Sequence, residues 1–424
     1  MGLRRTSSEC GMKKYSKQTG IKRPEILSPA GDIEKMRFAF KYGADAVYIS
    51  GKNYGLRSFA GNFSDEELKE AVKSAHAQEK KVYVTVNIFP YNSDIDGIKI
   101  HLEFLKSIQA DGLIVSDLGV FRLAQKYAAG MPVHISVQAN NLNYEEVKAW
   151  KELGAKRIIL ARELSISEIK EIRGKVPGIE LEIFVHGAVC MSYSGRCLLS
   201  NYLTGRDANR GECAQACRWS YRLMEEKRPE EYLPVIEDER GTYILNAKDL
   251  NLIGRIKELA EAGIDSFKIE GRMKGFHYIA ATASAYRAAA EKYAENPENY
   301  EYDPAWGKEL NKISHRKYTE GFYFKGDKPE QNFTSSEYIS DYKYLGYVKQ
   351  AEGNIIKAEI KNSFKTGETV EILVPPGKYS DVKILSIKDS EGIEETYVKQ
   401  DKCYTIEVET KENITPYSIL RKKN

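Results

Sequence analysis

No run of roughly eighteen apolar residues occurs in the chain, so no membrane-spanning segment is expected. There is no H-E-x-x-H helix and no G-x-S-x-G elbow, which removes two common signatures of hydrolytic enzymes. Net charge is only +3 over 424 residues, too little to argue for nucleic acid unless the basic residues gather in a patch. Residues 1–22 carry Arg4, Arg5, Lys13, Lys14, Lys17 and Lys22 with no apolar run behind them. This stretch is read as a disordered basic tail and not as a signal peptide. Cysteine is scarce, at six residues, and a chain this long buries a sufficient core without disulfides. A reducing, cytoplasmic setting is therefore expected, where clustered thiols serve metals or catalysis.

Four of those six cysteines lie within Leu181–Trp219, the stretch LEIFVHGAVCMSYSGRCLLSNYLTGRDANRGECAQACRW. Six residues separate Cys190 from Cys197, fifteen separate Cys197 from Cys213, and three separate Cys213 from Cys217. Three chemistries compete for them. A nucleophilic cysteine with His186 as base needs one thiol and leaves three without a role. Zinc suits the Cys213–Cys217 pair, but the Cys190–Cys197 gap fits zinc spacing poorly. An iron–sulfur cluster also takes four thiolates, with spacings that differ between families.

From about residue 23 to 295, short apolar runs alternate with amphipathic stretches of helical period, which is the pattern of βα units and a parallel sheet. Eight candidate strands occur: Glu25–Ser28, Ala46–Ser50, Val82–Asn87, Gly112–Ser116, Val133–Val137, Arg157–Leu160, Leu181–Val185 and Ser266–Glu270. Eight repeats at this spacing fit a closed (β/α)8 TIM-like barrel. Ser64 and Glu67 have capping-box spacing, and Leu68, Ala71, Val72 and Ala75 share one helical face behind them. Between strands seven and eight, residues 185–250 form an insertion that holds the cysteines and a hairpin, and a helix is expected at Leu250–Ala262. Residues 296–343 read as a linker with a short helix near Ala305–Ile313. From residue 344 to 424 the helical period vanishes. Seven alternating runs, including YLGYVKQ, TVEILVP, TYVKQ and CYTIEVE, predict a small all-β barrel.

In such a barrel the residues just past the strand ends face the active site. Those positions hold Arg57, Asn87, Gln138, Arg162, Glu163, His186, Glu270 and Arg272. Arginine matches carboxylate or phosphate with two parallel donors, so Arg57, Asn87, Gln138, Arg162 and Arg272 are candidates for holding a polar anion. His186, Glu163 and Glu270 are the candidates for proton transfer, with a buried structural imidazole as the competing role for His186. Around the cysteines, Arg206, Arg210, Arg218 and Arg222 interleave with Trp219 and several tyrosines. Such a mixture can pair with phosphates and stack on a splayed base.

The runs EIFVHGAVC and GRCLLS, together with PEILSPAGD, GADAVYISGKNYGLRSFAGNF, CRWSYRL and DSFKIEGRMK, resemble the signature of peptidase family U32, the collagenase-like proteases. The resemblance spans about residues 23–422 and includes the C-terminal β domain. It implies more than peptidase chemistry. Members closest in layout install 5-hydroxyuridine at the tRNA wobble position without molecular oxygen, with prephenate as oxygen source. Others hydroxylate a cytidine of ribosomal RNA. Several bind a 4Fe–4S cluster through four cysteines, which here would be Cys190, Cys197, Cys213 and Cys217. The partners implied are tRNA, prephenate or another small carboxylate, and a partner paralogue of the same family. Two alternatives stand beside this: a U32 peptidase acting on unfolded or collagen-like polypeptide, and a zinc-stapled RNA-binding factor.

Overall fold

The computed structural model describes residues 22–56, 62–189, 199–206, 212, 214, 224–225, 228–232, 236–238, 241–243, 248–325 and 338–424. Seven parallel strands run in sequence order: β1 (Glu25–Pro29), β2 (Ala46–Ser50), β3 (Lys81–Val86), β4 (Gly112–Val115), β5 (Val133–Ile135), β6 (Arg157–Ile159) and β7 (Glu180–Ala188). The inserted segment contributes β8 (Met224–Glu225), β9 (Arg228–Tyr232), β10 (Ile236–Asp238), β11 (Gly241–Tyr243) and β12 (Asp249–Asn251) before the eighth barrel strand, β13 (Ser266–Ile269). β13 pairs in parallel with both β1 and β7, so the eight-stranded sheet closes on itself. The TIM-like barrel expected from the repeats is the fold. Strands covered on both faces read as continuous apolar runs, and all five residues of β2, AVYIS, are buried.

The connecting helices start where short polar side chains cap them. Ser64 accepts from the Glu67 N–H, and the Glu67 carboxylate returns to the Ser64 N–H, completing the expected capping box before Asp65–His76. Leu68, Ala71, Val72 and Ala75 are the buried face of that helix. Asp32 and Asp117, which also follow barrel strands, cap the helices Ile33–Lys41 and Leu118–Tyr127. Their carboxylates are occupied by backbone N–H groups.

Two readings of the sequence change. Residues 249–251 form a strand and not the start of a helix, because β12 pairs antiparallel with β7: His186↔Asn251, Gly187↔Leu250, Ala188↔Asp249. Helix begins only after it, with a 3-10 turn at Ile253–Arg255 and the α-helix Ile256–Glu261. Within the stretch read as a linker, residues 304–325 are part of the barrel body. It supplies the helix Pro304–Leu310 and strand β14 (Tyr318–Thr319), which extends the barrel sheet by pairing with Asp249 and Leu250. Its polar, turn-rich composition hid contacts that tertiary packing supplies.

The C-terminal region is a closed six-stranded antiparallel barrel. Its strands are β15 (Tyr342–Glu352), β16 (Ile355–Ile360), β17 (Thr369–Val374), β18 (Lys378–Lys388), β19 (Lys402–Glu409) and β20 (Ile419–Lys423). The run TYVKQ is not a strand; it makes only an isolated bridge, Lys365↔Tyr397. This small barrel docks tightly on the large one. Tyr347, Leu373 and Ile419 join the core of the large barrel, and the Tyr42 hydroxyl donates to the Leu373 carbonyl at 2.7 Å. Arg421 is fully buried between the domains and donates to Glu371 and Glu309, with the His277 imidazole 2.9 Å away.

Candidate active site

The interior of the large barrel begins, at its N-terminal end, with a compact ionic cluster. Arg157 donates to Glu25 at 2.6 Å, to Glu182 at 2.9 Å and to Glu180 at 2.8 Å. Lys268 donates to the other Glu182 oxygen at 2.8 Å, and Tyr83 and Ser266 donate to Glu25. Burial alone would push the Glu182 carboxyl up, but Lys268 and Arg157 outweigh it and hold the group below the usual carboxylate range. The Lys268 ammonium also lies 4.6 Å from the centre of the Tyr48 ring and 5.3 Å from that of Phe184.

Above that cluster the chemistry changes. Asn87, just past β3, donates its amide to the Gln138 carbonyl oxygen at 2.8 Å, so two of the expected binding residues meet. Ser116 donates to the Asn87 backbone carbonyl. Arg272, just past β13, is buried and donates to Asn62 at 3.0 Å and to Thr85 at 3.5 Å. The loop after β2 folds back over this network. A side chain at Gly55 would have its Cβ 1.8 Å from the Ser50 hydroxyl and 3.3 Å from that of Thr85, so only glycine lets the backbone come this close.

A second polar group lies at the ends of β5, β6 and β7. The Ala161 N–H donates to the Asn141 carbonyl, which sets Asn141 beside Arg162. Arg162 donates one Nη to the Ala188 carbonyl at 2.8 Å, and its guanidinium lies 4.0 Å from the centre of the Phe184 ring. Tyr323 stands on the helix Phe322–Lys325, after Gly321, where an added Cβ would lie 3.3 Å from the Leu250 side chain. Its phenol feels the charges of Arg162 and the half-buried Glu163, and burial raises its pKa, so it stays protonated. Asn141, Arg162 and Tyr323 are 0%, 9% and 1% exposed. Both amide atoms of Asn141, the Nε of Arg162 and the Tyr323 hydroxyl find no hydrogen-bond partner among the described residues. Each such group costs about 1–3 kcal/mol while it lacks one. The sequence reading missed Tyr323 because it lies in the supposed linker; the run GFYFK was the available signal.

His186 does not join the mouth. It is buried, its Nδ1 3.4 Å from the Tyr286 hydroxyl, and it packs against the rings of Tyr278, Tyr286 and Tyr318. Burial lowers its pKa to about 3, so it is neutral at neutral pH. The physical reason is the added strand β12, which covers the end of β7 and turns this region into packed interior. His186 therefore lies in packed interior and not at the rim where the sequence placed a candidate for proton transfer. The adjacent Gly187 (φ +107°) lies where a Cβ would come 2.6 Å from the Glu270 carbonyl. Glu270 itself is half-buried at the end of β13, its carbonyl accepting from the Tyr278 hydroxyl.

The same ladder closes the base of the cysteine-bearing insertion, which leaves the barrel after Ala188 and returns at Asp249. Asp249 is clamped by Arg316 through its backbone N–H, Nε and Nη2 at 2.8–3.1 Å, with both residues buried. Arg206, in the insertion, is exposed and donates its Nε to the Glu212 carbonyl. Arg57, Cys190, Cys197, Cys213, Cys217, Arg210, Arg218, Trp219 and Arg222 lie outside the described residues. No helix among the described residues is long and apolar enough to cross a membrane.

The profile of Peptidase family U32 matches residues 31–333, and that of the Peptidase family U32 C-terminal domain matches residues 340–421. The chain is 40% identical to tRNA hydroxylation protein P of Escherichia coli (strain K12), covering 84% of this chain and 87% of that protein. It is 40% identical to tRNA hydroxylation protein P1 of Bacillus subtilis (strain 168), covering 89% and 90%. It is 36% identical to the 23S rRNA 5-hydroxycytidine C2501 synthase of Escherichia coli (strain K12), covering 64% of this chain and 40% of that protein.

Proposed function

The chain belongs to peptidase family U32, and from that premise we propose that it is an RNA-hydroxylating enzyme acting on tRNA. The observation that carries the reading is its 40% identity, over most of both chains, to proteins named for tRNA hydroxylation. The finer reading is 5-hydroxyuridine formation at the wobble position, with prephenate as oxygen donor and a 4Fe–4S cluster as cofactor. The donor set fits that cofactor: Cys190, Cys197, Cys213 and Cys217 offer four thiolates in one insertion tied to the barrel at Ala188–Asp249. When bound, the cluster would supply the redox or Lewis-acid chemistry of the site. The protein's own part is positioning. Arg272, held by Thr85 and Asn62, and Arg162, held over Phe184, present guanidinium groups to an anionic donor. The Asn87–Gln138 pair orients further polar contacts, and Glu163 and Glu270 remain the carboxylates for proton transfer. Arg206, Arg210, Arg218, Trp219 and Arg222 would meet the RNA. The peptidase reading loses ground because His186, its candidate base, is enclosed by tyrosines.

The test is nucleoside mass spectrometry of tRNA from a strain lacking the gene and any paralogue. Derivatives of 5-hydroxyuridine should disappear, return with the intact gene and fail to return with Cys197→Ala. That variant should also purify anaerobically with its iron lost. Unchanged tRNA nucleosides with loss of an rRNA hydroxycytidine would move the target to ribosomal RNA. No change in either would overturn the reading.

A further inference from the structure

We infer that Tyr54 is a positioning residue for the barrel mouth. Seated across Gly97 and against His101 on the helix Ile95–Ser107, it holds residues 54–56 against Asn87 and so sets the Asn87–Gln138 pair. Its consequence for turnover rests on the hydroxylation proposed above; its consequence for the backbone does not.

The first sign is a backbone out of keeping with its side chain. Tyr54 has φ +65°, in the left-handed region that glycine and asparagine enter more readily than tyrosine. Asn53 precedes it and Gly55 follows, so the permissive residues stand on either side and the bulky ring between them. Strain of this kind persists where the surroundings hold it, and it gathers at functional sites. The surroundings here include two glycines. A Cβ on Gly97 would come 2.0 Å from the Tyr54 hydroxyl oxygen, and a Cβ on Gly51 would come 3.3 Å from His101 Cε1. Gly97 lies within a helix, where alanine is favoured over glycine. It is half-buried and leaves the room that the phenol fills. His101, one turn further along the same helix, has its ring centre 5.6 Å from that of Tyr54.

On its other side the same segment meets the mouth. The Ile88 N–H donates to the Tyr54 carbonyl at 3.3 Å, and the Leu56 N–H donates to Asn87 Oδ1 at 3.4 Å. Two bonds from one short segment thus bracket Asn87, one to its side chain and one to the next residue. Its amide nitrogen is left to donate to Gln138 at 2.8 Å. Between those bonds Gly55 packs on Ser50 and on Thr85, whose hydroxyl lies 3.5 Å from Arg272. Holding Oδ1 on a backbone N–H fixes which way the Asn87 amide faces, because its oxygen only accepts and its nitrogen only donates. A ring wedged on a helix outside the barrel therefore sets the direction of a side chain at the mouth. A misplacement of about 1 Å is enough to slow a reaction that depends on position.

The experiment uses the full chain, expressed in the deletion strain and purified anaerobically. Gly97→Ala is compared with Tyr54→Gly and with Gly97→Ala combined with Tyr54→Phe. Gly97→Ala should slow the accumulation of 5-hydroxyuridine in tRNA about tenfold or more. The protein should stay at least as stable, since alanine favours the helix. Hydrogen exchange, followed by mass spectrometry, should quicken at residues 54–56 and at Ile88 and not across the barrel. Adding Tyr54→Phe removes the oxygen that the new Cβ meets and leaves the ring's Cζ 3.2 Å away. It should restore both readouts to within about twofold. Tyr54→Gly suits the backbone better but deletes the ring, so it should lose both. Wild-type exchange in Gly97→Ala, or failure of Tyr54→Phe to rescue it, would overturn the assignment. So would quickened exchange with undiminished modification, or a Tyr54→Gly protein that behaves as wild type. If the deletion strain's tRNA is unchanged, the hydroxylation reading fails by itself. The exchange pattern and its rescue then still decide whether Tyr54 holds the mouth.

Discussion

At the N-terminal end of the barrel interior, Arg157 and Lys268 meet Glu25, Glu180 and Glu182, and each charge has a counter-charge within hydrogen-bond distance. At the C-terminal end, Arg162, Asn141 and Tyr323 are as deeply buried, but keep polar atoms without partners among the described residues. The two ends meet at one aromatic ring: the centre of Phe184 lies 5.3 Å from the Lys268 ammonium and 4.0 Å from the Arg162 guanidinium. Burial is therefore not what separates them; pairing is. A paired cluster holds the barrel's geometry, whereas unpaired donors raise the folded state's energy until something else supplies acceptors. Local sacrifice of stability of this kind is what binding sites show.

The largest expected effect that would break this contrast is at the paired end. Glu182→Gln leaves Lys268 and Arg157 short of one buried carboxylate and should cost about 3–5 kcal/mol of unfolding free energy, read by denaturant titration. A loss under about 1 kcal/mol would mean the cluster is not a stabilising unit.

A middle-sized effect separates burial from pairing. His134, His186 and His277 are all buried, and burial lowers the pKa of each, that of His186 to about 3. Their unfolded value is near 6.5. Between the two values the unfolded chain binds protons that the folded chain does not. Stability from these groups is thus complete above about pH 6.5 and is lost as pH falls. Carboxylates held low, such as Glu182, add their own loss only below about 4.5. Burial lowers the His101 imidazole as well, so His186→Asn should remove about a quarter of the slope between pH 6.5 and 4.5. An unchanged slope would show that this imidazole is not held neutral.

The smallest effect sharpens the contrast at the other end. Tyr323→Phe should change unfolding free energy by no more than about 1 kcal/mol, and towards greater stability, because it removes a buried hydroxyl with no partner. A clear loss of stability would mean that this hydroxyl has a partner within the protein, and that the two ends are alike.

Much of the fold was legible from local pattern. The eight barrel strands differ by only a few end residues from the runs read in the sequence, because β-branched runs bounded by turn residues report burial directly. The Ser64–Glu67 box was legible for the same reason: its partners are three residues apart. Arg162, Arg272, Asn87 and Gln138 could be assigned to the mouth because a barrel puts strand ends on one rim.

What the amino-acid sequence by itself determined was the βα period, the capped helix starts, the all-β C-terminal region and the grouping of four cysteines in one insertion. Each depends on residues close together along the chain. Only the tertiary structure decided that His186 is packing and not rim, and that residues 304–325 belong to the barrel. Those outcomes rest on strand pairings between segments far apart in sequence, such as Ala188 with Asp249 and Leu250 with Thr319. Pairing at that range follows from backbone geometry across the whole fold, and no local pattern of side chains encodes it.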